Sequence, residues 1–253
     1  MELTEAVRRR RMVRRFDPAR PVDLATVRRL VDLATRAPSA GNAGGRDFVA
    51  LLDEADRAAF WSAATPGHHA PRPPAVPPDG HDTGGTTPPP GPDAWLAGVR
   101  AAPALLVCLS DPTAYLDRYA EPDKGWTDRS LDRWPIPYWD IDTAMAAMLV
   151  LLGAVDAGLG ALFFGVPAER HQAVRAALEV PADRRLVGVV ALGHEAARVR
   201  SPSLRRGRRG VEQVLSLGRF GASAAAPSDT SARMGATPDP GTPGPRTPTE
   251  QHP

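Results

Sequence analysis

The chain has 253 residues and a mass of 26.9 kDa, with a net charge of +2 and a pI of about 9.1. That length can bury a good core, in one large domain or two small ones. So small a net charge makes only a weak case for a nucleic-acid partner, and the lone cysteine excludes a disulfide framework.

Read from the N-terminus, "MELTEAVRRRRMV" lacks the apolar stretch that a secretory signal needs. The expectation is a cytoplasmic protein. "RRRMVRRF", Arg9 to Phe16, crowds arginines around two apolar residues. It reads as a solvated helix end, a polyanion-binding arm, a targeting fragment, or a grip on one phosphate. "VDLATVRRLVDLATRAP" follows, with Asp23 as N-cap and Leu24, Val27, Leu30, Val31 and Ala34 on one helical face, bounded by Pro38. Arg46–Leu52, Pro103–Ser110, Leu159–Gly165 and Arg185–Gly193 are apolar runs of strand length. Helical patterns lie between them at Asp53–Ala64, Asp140–Gly158 and Ala168–Glu179. This loose alternation predicts an α+β sandwich with helices on both faces of a sheet. The longest apolar run, Ala144 to Val155, is short of the ~20 residues that span a bilayer and reads as a buried helix.

With 28 prolines and 23 glycines, part of the chain is linker or tail. Residues 66–93 offer almost nothing apolar to bury and read as a flexible insertion. Residues 222–253, rich in Ala, Ser, Thr, Pro and Gly, read as a disordered tail behind a domain at 1–221. His68, His69 and His81 lack a framework that would fix metal geometry, so no metal is expected. Cys108, inside "PALLVCLS", reads as a buried structural thiol.

A second motif is "RAPSAGNAGGRDF", Arg36 to Phe48. A helix stops at proline, small residues turn the chain, and Asn42 stands just before a strand. Such a turn lets backbone approach a flat ligand closely, although these are also ordinary turn residues. Further on come "GLGALFFGVP", "VGVVALGHE" and the basic "RRGRRGVEQVL". The ordered set resembles the nitroreductase superfamily of FMN-dependent oxidoreductases, over roughly Glu2 to Phe220 apart from the proline-rich stretch.

The resemblance implies a three-layer α-β-α sandwich around a mainly antiparallel sheet. It also implies a homodimer with FMN at the subunit interface and NAD(P)H as hydride donor. Arg10, Arg11, Met12 and Arg14 match the family's N-terminal phosphate motif, and Arg206 and Arg208 its C-terminal basic pair. Guanidinium suits a phosphate because it binds bidentately. Pro38, Ser39, Ala40 and Asn42 match the turn beside the isoalloxazine ring. Phe164 and Gly165 match the segment whose backbone approaches flavin N5. Three departures stand out: Met12 where the family often has serine, Gly44-Gly45-Arg46 where it often has Gln-Pro-Trp, and the proline-rich insertion itself.

No catalytic triad or carboxylate pair is visible, as expected where a flavin carries the chemistry. Tyr119–Met145 holds Trp126, Trp134, Tyr138 and Trp139 among charges. These rings either line a pocket for a flat substrate or cap the core beneath a long loop. The expected function is reduction of a flat, electron-poor small molecule by a ping-pong mechanism. One alternative is a flavin-dependent dehydrogenase or oxidase of a specialised metabolite. The other is an Arg-rich nucleic-acid-binding protein, disfavoured because Asp17, Asp23 and Asp32 closely follow the arginines.

Overall fold

Four apolar runs become the four strands of one antiparallel sheet in the computed structural model, which describes residues 1–65, 92–196 and 205–222. They are β1 (Arg46–Leu51), β2 (Ala104–Ser110), β3 (Gly160–Phe164) and β4 (Arg185–Gly193), in the order β1-β2-β4-β3. Among the described residues, seven α-helices are α1 (Leu3–Arg9), α2 (Leu24–Thr35), α3 (Glu54–Ala64), α4 (Pro92–Arg100), α5 (Pro112–Ala120), α6 (Tyr138–Asp156) and α7 (His171–Ala177). The chain divides into two units, 1–201 and 202–253. The expected insertion up to residue 91, with its three histidines, and the tail from residue 223 lie outside the described residues. Pro92 and Asp93, read from sequence as the end of that insertion, begin α4.

β2 shows why its sequence is apolar throughout. Successive side chains of a strand point to opposite faces, and both faces here are covered. Leu105, Val107 and Leu109 join Phe60, Trp61 and Val174 from α3 and α7. Ala104, Leu106 and Cys108 join Leu30, Ala34, Val150 and Ala154 from α2 and α6. This is the α+β, helix–sheet–helix layering that the sequence predicts. In α2, Asp23 caps the helix by accepting from the Thr26 amide at 2.6 Å, and Val27, Leu30 and Ala34 are buried. Leu24, expected on that face, is 49% exposed.

α6 covers Tyr138–Asp156, two residues earlier at each end than the helix expected at Asp140–Gly158. Starting at Tyr138, it has 19 residues and is long and apolar enough, by length and composition, to cross a membrane. Half of that stretch is buried inside the fold, where α6 packs on α2 and the sheet. Gly153 makes the approach close: a Cβ there would fall 2.7 Å from Leu33 and 2.9 Å from Leu30.

The arginine-rich segment is neither a loose arm nor a helix end beyond Arg9. From Arg11 it runs as an extended strap along β3 and across the end of β4. Met12 bridges Ala161 in parallel, Phe16 bridges Glu195 antiparallel, and the Val13 amide donates to the Ala161 carbonyl at 2.9 Å. Val13 and Phe16 are buried. The strap fits because β3 opens with glycine: a Cβ on Gly160 would meet Val13 side-chain carbons at 2.9–3.1 Å.

In the second unit, residues 205–222 include a short 3-10 turn at Val211–Gln213 and expose Val211, Val214, Leu217 and Phe220.

Two predictions follow from the packing. Gly160→Ala should overpack the strap and cost about 1–3 kcal/mol, lowering the melting temperature by about 2–4 °C per kcal/mol. Burial pushes the Cys108 thiol up to about 12 and leaves it fully covered. Since the thiolate is the reactive form, Ellman's reagent at pH 8 should find no thiol until denaturant is added.

Candidate functional site

At the strap, Val13 and Phe16 are buried, Arg11 and Arg15 are exposed, and Arg10 and Arg14 are half-buried. Arg11 is held in a two-point ion pair with Glu195, at 3.0 and 2.6 Å. Arg14 donates one Nη to the Met12 carbonyl at 3.1 Å. Arg10 differs: its Nη1 is buried and has no hydrogen-bond partner among the described residues. A buried donor left unpaired costs about 1–3 kcal/mol, more when charged, so this atom marks a place for an acceptor. Met12, where the family often has serine, is partly buried and packs against both cores. Phe164 and Gly165 end the same strand that the strap follows. The Phe164 ring stacks on Trp61 in the core, at 5.5 Å and 8°. Only backbone is offered outward there, and Gly165 is exposed with open space around it.

The turn at Pro38–Asn42 is built just as specifically. Ala40–Asn42 form a 3-10 turn in which Gly41 and Asn42 take φ of 61° and 57°. Glycine adopts that left-handed region freely and asparagine tolerates it. The Ser39 hydroxyl accepts from the Gly44 amide at 3.0 Å. Arg46 turns back onto the end of α2, donating to the Thr35 and Ala37 carbonyls at 2.8 Å each and to Pro38 at 3.5 Å. Arg118 Nε donates to the Gly41 carbonyl at 2.8 Å while its Nη atoms hold Asp123. Asp142 accepts from the Ala40 amide at 2.8 Å and from the Tyr115 hydroxyl at 2.6 Å. Burial first, and Asp142 second, raise the Tyr115 hydroxyl well above the usual tyrosine range. Asn42 is exposed.

Strap and turn lie at opposite corners of the sheet. Arg46 pairs with Ser110, and Ser110 with Arg185. Met12 pairs with Ala161, and Ala161 with Leu192. Between Arg185 and Leu192 lie roughly 23 Å of strand, and between the strap and β1 four spacings of about 4.8 Å, so the corners are roughly 30 Å apart. Phe164, by contrast, is only about 10 Å along β3 from Ala161. The structure therefore groups Arg10, Met12, Arg14, Phe164 and Gly165 along one edge, with Pro38, Ser39, Ala40 and Asn42 diagonally opposite. Arg206 and Arg208 are exposed in the second unit.

The aromatic segment resolves toward packing. The Trp134 ring lies 4.7–5.9 Å from those of Tyr115, Tyr119, Trp126, Tyr138 and Trp139. The rings fill one another's edges as a small satellite core, with Arg133 over Trp126 at 5.3 Å. A cavity of about 550 Å³ beside α3, lined by Arg57, Trp61 and Arg100 among others, contains none of the residues singled out from sequence. Among the described residues, no group of His, Cys, Asp or Glu is placed to hold a metal ion.

The molecule is thus an α+β sandwich with a basic strap at one sheet edge and a small-residue turn at the opposite corner. Residues 7–194 match the Nitroreductase family, and the chain belongs to it. A nitroreductase family protein from Clostridium difficile 630 is 16% identical, with a TM-score of 0.59 over 87% of this chain and 100% of its own. A Desulfovibrio desulfuricans protein, provisionally described as a nitroreductase and solved in complex with FMN, is 19% identical, with a TM-score of 0.58 over 87% and 98%. One from Parabacteroides distasonis, provisionally described as an NADH dehydrogenase/NAD(P)H nitroreductase, is 18% identical, at 0.56 over 86% and 98%. At these identities the likeness is one of fold. No curated protein matches the chain.

Because Arg11 is already paired with Glu195 at the surface, Arg11→Ala should cost no more than about 1 kcal/mol of stability and leave the affinity for an anionic ligand within about threefold. Thermal melts and calorimetric titration with FMN check both.

Proposed function

We propose that the protein is an FMN-dependent oxidoreductase that works as a homodimer in the cytoplasm. In this reading it draws hydride from NAD(P)H and reduces a flat, electron-poor small molecule. The observation that carries the reading is the buried Nη1 of Arg10, which lacks an acceptor among the described residues and sits just before the strap that carries Arg14. The donor set fits a phosphate: two guanidiniums, with Met12 adding no hydroxyl between them. Arg206 and Arg208 join the proposal on family resemblance. When bound, the flavin supplies two-electron chemistry, accepting hydride and passing it to the second substrate in turn.

The protein's part is placement. Arg10 and Arg14 neutralise the phosphate, and the backbone at Phe164–Gly165 comes up to the ring. Ser39, Ala40 and Asn42 supply polar edges for the ring as well. A turn roughly 30 Å from the strap serves the same flavin if it comes from a second copy, which supports two interfacial sites per dimer. The exposed stripe Ile141, Met145 and Met148 on α6 gives that contact an apolar surface. Arg46 bears on a second reading. Its guanidinium is turned onto α2, so the pocket wall differs from a Gln-Pro-Trp wall, which favours testing oxidation of a specialised metabolite alongside nitro reduction.

Purified protein should show an oxidised-flavin absorption spectrum, and light scattering should report twice 26.9 kDa. Arg10→Ala, Arg14→Ala and Arg208→Ala should each remove a charge-assisted bond of about 1.5–3 kcal/mol, weakening FMN about 10- to 100-fold. Riboflavin, which lacks the phosphate, should be indifferent to all three, and Arg20→Ala should bind FMN as the wild type does. Equal FMN affinity throughout would reject the phosphate grip. A flavin-loaded monomer would reject the shared site.

A further inference from the structure

Asp142 stands inside the most apolar helix of the protein and is 3% exposed. Burying a carboxylate is costly unless its oxygens are well bonded. Its hydrogen-bond partners are a backbone amide and a hydroxyl rather than a guanidinium, and both bonds converge on Oδ2. The amide belongs to Ala40, 102 positions away, in the turn that matches the isoalloxazine-facing segment. The hydroxyl belongs to Tyr115, which is fully buried on α5.

α5 grips the same turn in two further ways. Arg118 Nε holds the Gly41 carbonyl. The Tyr119 ring lies where a Gly41 Cβ would approach it to 2.8 Å. The turn holds two successive residues in the left-handed region, a conformation that persists where surrounding contacts over-determine it. Without Asp142, the Ala40 amide would lose its acceptor and Tyr115 its link from α5 to α6.

We propose that Asp142, bonded to the Ala40 amide and tied to α5 by the Tyr115 hydroxyl, is a positioning residue that sets the orientation of Ser39, Ala40 and Asn42 toward the flavin ring. It touches neither ring nor substrate and acts wholly through the turn. The proposal rests on the flavin reading above. It differs from the arginine grip in one measurable way, since the turn addresses the ring and the strap addresses the phosphate.

The experiment uses the full-length protein with Asp142→Leu, Asp142→Asn and Tyr115→Phe, each titrated with FMN and with riboflavin. Visible circular dichroism of the bound flavin is recorded alongside. Asp142→Leu should weaken both ligands by the same factor, about tenfold or more, because an acceptor for a backbone donor is lost. Tyr115→Phe should weaken both by about three- to tenfold. Both variants should alter the dichroism of the bound ring. Asp142→Asn should rescue affinity to within about threefold and keep the wild-type spectrum, since its amide oxygen can stand in for Oδ2 and accept from both the Ala40 amide and the Tyr115 hydroxyl. Should Asp142→Leu fail to fold, the contrast between Tyr115→Phe and Asp142→Asn carries the test. The proposal is overturned if Tyr115→Phe keeps wild-type affinity and spectrum, or if Asp142→Asn loses as much as the disruptive variants. A wild type that binds neither ligand removes the flavin reading itself, a result distinct from either of these.

Discussion

A sheet covered by helices on both faces leaves a ligand only its edges and ends. Leu105, Val107 and Leu109 are sealed under α3 and α7, and Leu106 and Cys108 under α2 and α6. The chemistry is therefore pushed to the perimeter, where β3 would otherwise expose an unpaired edge, a hazard that proteins usually blunt. Here the strap covers it. The same few residues that close the edge also carry the arginines, so protection of the sheet and presentation of charge share one piece of backbone.

The two candidate corners are made by different means. At the strap, backbone pairing and two buried side chains, Val13 and Phe16, fix the path that carries the guanidiniums. At the turn there is almost no apolar burial. Polar contacts hold it instead, from Arg46 just after it and from the distant Arg118 and Asp142. The strap is thus a piece of sheet, while the turn is a small hydrogen-bonded assembly whose geometry depends on partners from three elements.

This difference explains what was legible in the sequence. The strands announced themselves because a strand buried on both faces must be apolar at every position; β4 occupies the same residues, Arg185–Gly193, as the apolar run. Asp23 was readable as a cap because its bond partner is three residues away. α1 was not, since Ala6 is its one buried residue and it has no periodic face. α5 carried a usable signal in Asp111 followed by Pro112, a cap and a first-turn proline, but only Tyr115 of its side chains is buried. The motif residues around the turn were visible as a pattern, whereas their supports were not. Arg46 looked like a loss relative to Gln-Pro-Trp, and Asp142 like one more charge near the tryptophans. Nothing local tells an acid at 142 that its partner is an amide at 40.

The strap also has a bearing on the order in which the protein is made. Its arginines are translated well ahead of the residues that define their places, Ala161, His194 and Glu195. Contacts of such sequence separation are slow to form because the loop between them must close first. Synthesis proceeds at about 5–20 residues per second, so the N-terminal segment waits for roughly 10–40 seconds with its charges unassigned. Whatever anion those arginines hold in the finished protein, they can take it up only after β4 has been delivered. The strap is thus translated long before the partners that complete it.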